Sequence, residues 1–157
     1  MIIFGIDPGL IHTGWAVIES KGHERRYIAS GVILPPVKKP LADRLAFIFN
    51  GLGELLEEYK PGECSIEITF VNNNPTSTLL LGHARAAAIL AVAVRGIPVF
   101  EYEPTIIKKA IAATGRADKA QVDAMVRVLL PAARPKTADE SDALAIALAH
   151  SNTSRYF

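Results

Sequence analysis

Apolar residues fall into short continuous or alternating runs near the start and middle of the chain, and into helical stripes between and after them. Ile2 to Ile6 is a short apolar run, and Asp7-Pro8-Gly9 ends it at once. The run predicts a buried strand, because it is β-branched or aromatic and bounded by turn residues. Pro8 cannot donate to a ladder and Gly9 can take a turn conformation, so the strand stops at Asp7. Thr13 to Ser20 and Tyr27 to Leu34 alternate well enough for a second and third strand, making an antiparallel meander. The polar stretch Ser20 to Arg26 between them reads as a hairpin loop, with His23, Arg25 and Arg26 in a solvated turn. Leu41, Leu45, Ile48, Phe49, Leu52, Leu55, Leu56 and Tyr59 recur on one face of a helix, which Pro61-Gly62 ends. Cys64 to Phe70 reads as a fourth strand and Ile97 to Tyr102 as a fifth, with Pro98 at the fifth strand's start.

Between those strands lies a helix near Thr76 to Val94, with Thr76 or Ser77 as its cap. It is apolar nearly all round and rich in Gly and Ala, so it is expected to be buried on more than one side. That pattern predicts packing beneath the sheet and against a second subunit, with Ala87 and Ala91 as interface positions. Pro104 opens a helix running to Thr114. Asp118 caps another over Lys119 to Leu130, and a last helix covers Ala138 to His150. Residues 151–157 show no periodicity and are expected to fray.

The chain has 157 residues, a length expected for one domain spanning 1–157 and sufficient for a real core. Its net charge of +1 does not announce nucleic-acid binding, so any such surface must come from local clustering. Lys108, Lys109, Arg116 and Lys119 are the clearest local excess of positive charge. The single Cys64 allows no disulfide framework and reads as a small buried apolar side chain. The N-terminus lacks a basic region followed by a signal-like run. His83, Arg85 and Gly82 in the most apolar helix argue against a membrane span. A cytoplasmic location is expected.

The acids carry the chemistry. Asp7 sits at a strand's C-terminal end, where ligands gather in open α/β sheets. Its ordinary alternative is a turn in which Asp7 bonds its own backbone. Glu67 interrupts a short apolar strand, which is costly unless the acid is paired, bound to a cation, or turned to solvent at an edge. Asp139 and Asp142 are three apart and share a helix face. Their ordinary alternative is Asp139 as cap and Asp142 as a first-turn acid favoured by the helix dipole. Four carboxylates in one site would repel one another strongly without cations. Oxygen-only ligands point to Mg²⁺ or Mn²⁺, and two such ions about 3.5–4 Å apart suit phosphodiester hydrolysis. The sequence holds no Walker loop, zinc-ligand spacing or Gly-x-Ser-x-Gly elbow.

Gly5-Ile6-Asp7-Pro8-Gly9 followed by Thr13-Gly14-Trp15 resembles the opening of the RuvC family of Holliday-junction resolvases. Ile66-Glu67 with Phe70 and Asn74, then Leu81-Gly82, Ala84-Arg85, Gly115-Arg116-Ala117-Asp118-Lys119 and Asp139 to Ala145, continue the likeness in order along essentially the whole chain. The resemblance implies an RNase H-like fold, a five-stranded mixed sheet flanked by helices. It implies a Mg²⁺-dependent homodimeric endonuclease that nicks two opposed strands of a four-way DNA junction, leaving 5′-phosphate and 3′-hydroxyl ends, in recombination and repair. RuvA–RuvB branch-migration proteins are the implied partners. By the same resemblance Asp7, Glu67, Asp139 and Asp142 are the catalytic, metal-holding acids, with Lys119 beside the scissile phosphate. Phe70, Asn74, Arg85, Lys108, Arg116 and Lys119 are the implied DNA contacts, Phe70 by stacking on a base. Asn73 and Leu80 stand where members often carry lysine, His83 where Gln is common, Ala86 where Gly is common, and Glu140 where Ala is usual. Two other classes compete: a catalytically silent junction-binding module, and an actin-like ATPase or sugar kinase, which needs a second phosphate loop and more length.

Overall fold

The computed structural model describes residues 1–68 and 73–153. Five strands form one sheet: β1 (Ile2–Asp7), β2 (Thr13–Lys21), β3 (Glu24–Ile33), β4 (Glu63–Glu67) and β5 (Val99–Tyr102), in the order β3-β2-β1-β4-β5. β1, β2 and β3 pair antiparallel, whereas β4 joins β1 and β5 joins β4 in parallel. The expected five-stranded mixed sheet is therefore present.

Helices α1 (Leu41–Tyr59) and α2 (Pro75–Ala93) cover one face. Helices α3 (Pro104–Ala112), α4 (Lys119–Leu129) and α5 (Ala138–Thr153) cover the other. The two-residue side-chain period of a strand divides the core between the faces. Phe4 and Ile6 of β1, with Cys64 and Ile66 of β4, pack toward α1 and α2, while Ile3 packs toward α5. Asp7 follows Ile3 and Gly5 in that period. Glu67 follows Glu63 and Ser65, and the Ser65 hydroxyl bonds the Ile146 carbonyl of α5 at 3.3 Å. Both acids thus face α5. Glu67 therefore lies on the opposite sheet face from Ile66, but that face is covered by helices and not turned to solvent, so Glu67 is half-buried.

Several boundaries differ from the sequence expectation. β4 ends at Glu67, so the acid closes the strand instead of interrupting it, and Phe70 lies outside the described residues. The β2–β3 turn is tight, with Lys21 opposite Glu24. Arg25 is no solvated turn residue: its guanidinium bonds the Ser151 hydroxyl at 2.6 Å and carbonyl at 2.8 Å, tying β3 to the end of α5. Asn74 caps α2 in place of Thr76 or Ser77, accepting from the Ser77 N–H at 3.2 Å. Helix α5 continues to Thr153, past the expected end at His150, and residues 154–157 lie outside the described residues.

Of the nineteen residues of α2, only Ala84, Ala88, Ala91 and Val92 are buried. Ala91, expected at an interface, is a core residue. The solvent-facing stripe is Leu79, Gly82, Ala86, Leu90 and Ala93, and Leu79 and Leu90 are 63% and 54% exposed. By length and composition alone α2 could cross a membrane, a weak signal that core helices also give.

Candidate active site

Three local devices bring the acids together. At the end of β1, Thr13 closes the Asp7-Pro8-Gly9 turn. Its buried hydroxyl donates to the Gly9 carbonyl at 2.8 Å and accepts from the Gly9 N–H at 3.2 Å. A neighbour therefore satisfies the turn, and Asp7 is not needed for it.

The second device is glycine at Gly5 and Gly14. A Cβ on Gly5 would collide with the Ala143 carbonyl and the Ala147 side chain, and one on Gly14 with the Asp139 carbonyl. Gly14 lies opposite Asp7 in the β1–β2 ladder. Only a residue without a side chain lets the first turn of α5 come down onto the sheet beside Asp7.

The third device is the cap of α5. The Glu140 N–H bonds the Thr137 hydroxyl at 3.2 Å, and the Ser141 N–H bonds the Thr137 carbonyl at 3.2 Å. Thr137 is thus the cap, not Asp139. Glu140 is buried and accepts from the Lys136 N–H, so this unusual acid is spent on the helix start. Thr137 and Glu140 have the Thr-x-x-Glu spacing of a capping box, a sequence signal that went unread. Freed from capping, Asp139 and Asp142 are half-exposed toward the site.

The electrostatics show the convergence. Burial, then Asp139 and Glu67, raise the Asp7 carboxyl to about 7, against a smaller opposing pull from Lys119. Burial also raises Glu67, opposed by Lys108 and Lys119. Glu67, Lys108, Lys119 and Asp142 line a cavity of about 250 Å³ with Pro104, Ile107 and Ile146 among its walls. The Lys119 ammonium pairs with Asp142 and stands 3.6 Å from Asp123. Asp7 and Asp139 couple to this group through charge and do not line the cavity.

Among the described residues, no three His, Cys, Asp or Glu side chains stand close enough to hold a metal ion. Asp7 lies within electrostatic reach of Asp139 and Glu67. An all-oxygen set of carboxylates fits a hard divalent cation.

The implied DNA contacts are dispersed. Lys108 is half-buried in the cavity wall, and Arg116 is exposed just before α4. Asp118 caps α4 in a reciprocal capping box with Gln121. The Asn74 side chain is engaged as the α2 cap. Arg85 is turned inward, donating from Nε to the Glu67 carbonyl at 3.1 Å and pairing with Glu101. A buried histidine, His150, was also missed as a partnered group. Its Nε2 bonds Glu63 at 2.6 Å and its Nδ1 bonds the Tyr102 hydroxyl at 2.6 Å.

A five-stranded mixed sheet with acids ending its central strands, met by the first turn of a helix laid across it, defines an RNase H-like domain of the nuclease class. Comparison with known proteins narrows that class. The family model described as crossover junction endodeoxyribonuclease RuvC matches residues 3–150. Over 150 residues the chain is 51% identical to the RuvC of Azorhizobium caulinodans, covering 96% of this chain and 89% of that one. It is 49% identical to the RuvC of Caulobacter vibrioides, with the same coverage. Its structure matches Thermus thermophilus RuvC in complex with a Holliday junction substrate with a TM-score of 0.93, at 31% identity over 99% of this chain and 96% of that one. The chain belongs to the RuvC family, and that membership implies use of a divalent metal.

Proposed function

We propose that this protein is a structure-selective endonuclease that resolves four-way DNA junctions by paired nicks in opposed strands. The arrangement that supports the reading is Asp7 half-buried at the end of β1, within electrostatic reach of Asp139, Glu67 and Lys119, with Glu67 and Lys119 also lining the cavity that Lys108 and Asp142 share. Asp7, Glu67, Asp139 and Asp142 are the residues that hold divalent ions, Mg²⁺ or Mn²⁺, two per site. When bound, such ions activate water and stabilise the leaving oxygen. The chain's own groups do the rest. Lys119 and Lys108 neutralise charge that grows on the phosphate in the transition state. Arg116 anchors the backbone, and Phe70 stacks on a junction base. Water adds across the P–O3′ bond, leaving a 5′-phosphate and a 3′-hydroxyl.

The protein acts as a homodimer. Two opposed nicks on a nearly twofold substrate call for two sites related by a twofold axis, and a twofold interface uses one patch twice. The stripe Leu79, Gly82, Ala86, Leu90 and Ala93 of α2 offers a self-complementary apolar patch with small residues that permit close approach. The RuvA–RuvB branch-migration complex supplies and holds the junction. A silent junction-binding module has no use for four acids and two lysines gathered at one strand end.

Incubation with Mg²⁺ and a synthetic four-way junction beside a linear duplex tests the reading. The junction should be nicked and the duplex spared. Equal attack on both, or on neither, contradicts it.

A further inference from the structure

The Glu67 carbonyl stands where the sheet runs out. On the β5 side the ladder closes with the Ile68 N–H bonding the Tyr102 carbonyl at 2.8 Å. On the β1 side, pairing with β4 ends at Ile6 opposite Ile66. The β1 chain then passes from Asp7 to Pro8, which has no N–H to offer. The Glu67 carbonyl accepts from Arg85 Nε at 3.1 Å instead.

Arg85 comes from α2, on the opposite face of the sheet from the cavity that the Glu67 side chain enters. Its remaining reach goes to Glu101 of β5, whose carboxylate pairs with the guanidinium NH2 group. The Arg85 side chain is 19% exposed and Glu101 is 47% exposed, so the cation is held inside and its counter-ion outside. One rigid fork thus joins α2, the last peptide of β4, and β5. Its positive charge is already neutralised, and a phosphate would have to displace Glu101 to use it.

We propose that Arg85 is a positioning residue for Glu67. With Glu101 as its counter-ion, it fixes the main chain from which the Glu67 carboxylate projects, and so ties the acid cluster to α2. The inference rests on the reading of Glu67 as a working acid, and it assigns Arg85 to the protein's interior in place of the expected DNA contact. A carboxylate at the end of three side-chain bonds moves by a large fraction of an ångström when its peptide tilts. Misplacement on that scale is costly in a site that works by geometry.

The two roles predict opposite signs at Glu101, which makes the test decisive. Arg85→Lys, Glu101→Ala and Glu101→Gln are compared with wild type in three measurements. These are the junction Kd in EDTA, the single-turnover cleavage rate, and Mn²⁺ binding to the DNA-free protein by electron paramagnetic resonance. Positioning predicts that Arg85→Lys and Glu101→Ala each slow cleavage about tenfold and weaken Mn²⁺ binding, with Kd unchanged within about twofold. Glu101→Gln, which keeps an acceptor oxygen, should recover much of both losses. A DNA role predicts that Glu101→Ala releases Arg85 and tightens junction binding at an unchanged rate, and that result overturns the proposal. Unchanged rate and Mn²⁺ binding in all three variants also overturn it. Glu101 is exposed, so its variants carry the test if Arg85→Lys fails to fold. A wild type that binds Mn²⁺ but does not cleave defeats the nuclease reading, while the brace is still read in the Mn²⁺ affinities.

Discussion

Asp7 is where a single residue reports most about the whole. Its proton is held more tightly in the folded chain than in the unfolded one, up to about 7 from an ordinary 3.8. This contribution to stability is fully present below pH 3.8 and is lost as pH rises through about 7. Asp7→Asn removes the ionisation. The variant should match wild type near pH 4 and exceed it by about 2–4 kcal/mol above pH 7 without metal, as read in denaturant melts. The same variant should lose cleavage by about 10²–10³-fold while binding the junction as well or better. Because a cation must displace the proton on Asp7, metal affinity should rise with pH up to about 7 and level off above it. A pH-independent metal affinity would show that the raised proton affinity has no part in the metal site. Lys119, paired with Asp142 at the cavity mouth, should behave differently. Lys119→Ala is expected to slow single-turnover cleavage more than it weakens binding; equal rates would remove it from the chemistry.

Among the elements, α5 decides whether the site exists. Its start is set by Thr137 and Glu140, its descent by Gly5 and Gly14, and its far end by His150 between Glu63 and Tyr102. Thr137→Ala should cost about 1 kcal/mol of stability and lower activity with it, read by thermal melts beside cleavage rates. Gly14→Ala should cost about 1–3 kcal/mol or more by overpacking against Asp139. His150→Ala should cost about as much, since it empties a buried position and removes the partner of half-buried Glu63 and Tyr102. The periodicities made every strand and helix legible; Asp7 stood out at a strand end, Glu67 as an acid inside an apolar run, and Asp139 and Asp142 as a pair near a helix start. The role of Glu67 was half-legible: alternation gave its direction, but a single strand's pattern cannot tell a face covered by helices from one facing water. The cap at Thr137, two residues before Asp139, is visible in the Thr-x-x-Glu spacing of Thr137 and Glu140, and Asp139 is the alternative cap that the sequence offers. The inward turn of Arg85 and the bridging role of His150 were not legible. Both depend on partners far away in the chain, Glu101 and Glu63, that only the folded sheet brings near.

At the scale of the whole molecule, the apolar stripe of α2 and the modest net charge make two further claims. Ala86→Glu or Leu90→Glu should yield a folded monomer in sedimentation that makes single, unpaired nicks. Ala91 cannot serve as such a probe, because it is buried against the core. Asn73 and Leu80 are exposed, and lysine there would add positive charge to the surface. Lysine at both should steepen the dependence of log Kd on log salt by about two units and tighten binding at fixed salt. An unchanged slope would place both positions away from DNA. The central claim is that four acids from three elements form one hydrolytic site acting in pairs on a junction. The most direct measurement is single-turnover cleavage, with Mg²⁺, of a four-way junction labelled on each of its strands in turn. Wild type should be run beside Asp7→Asn, Glu67→Gln, Asp139→Asn and Asp142→Asn. The account predicts symmetrically placed nicks in two opposed strands by wild type, and a loss of about 10²–10³-fold in each variant with binding retained. Undiminished paired nicking by any of the four variants would contradict it.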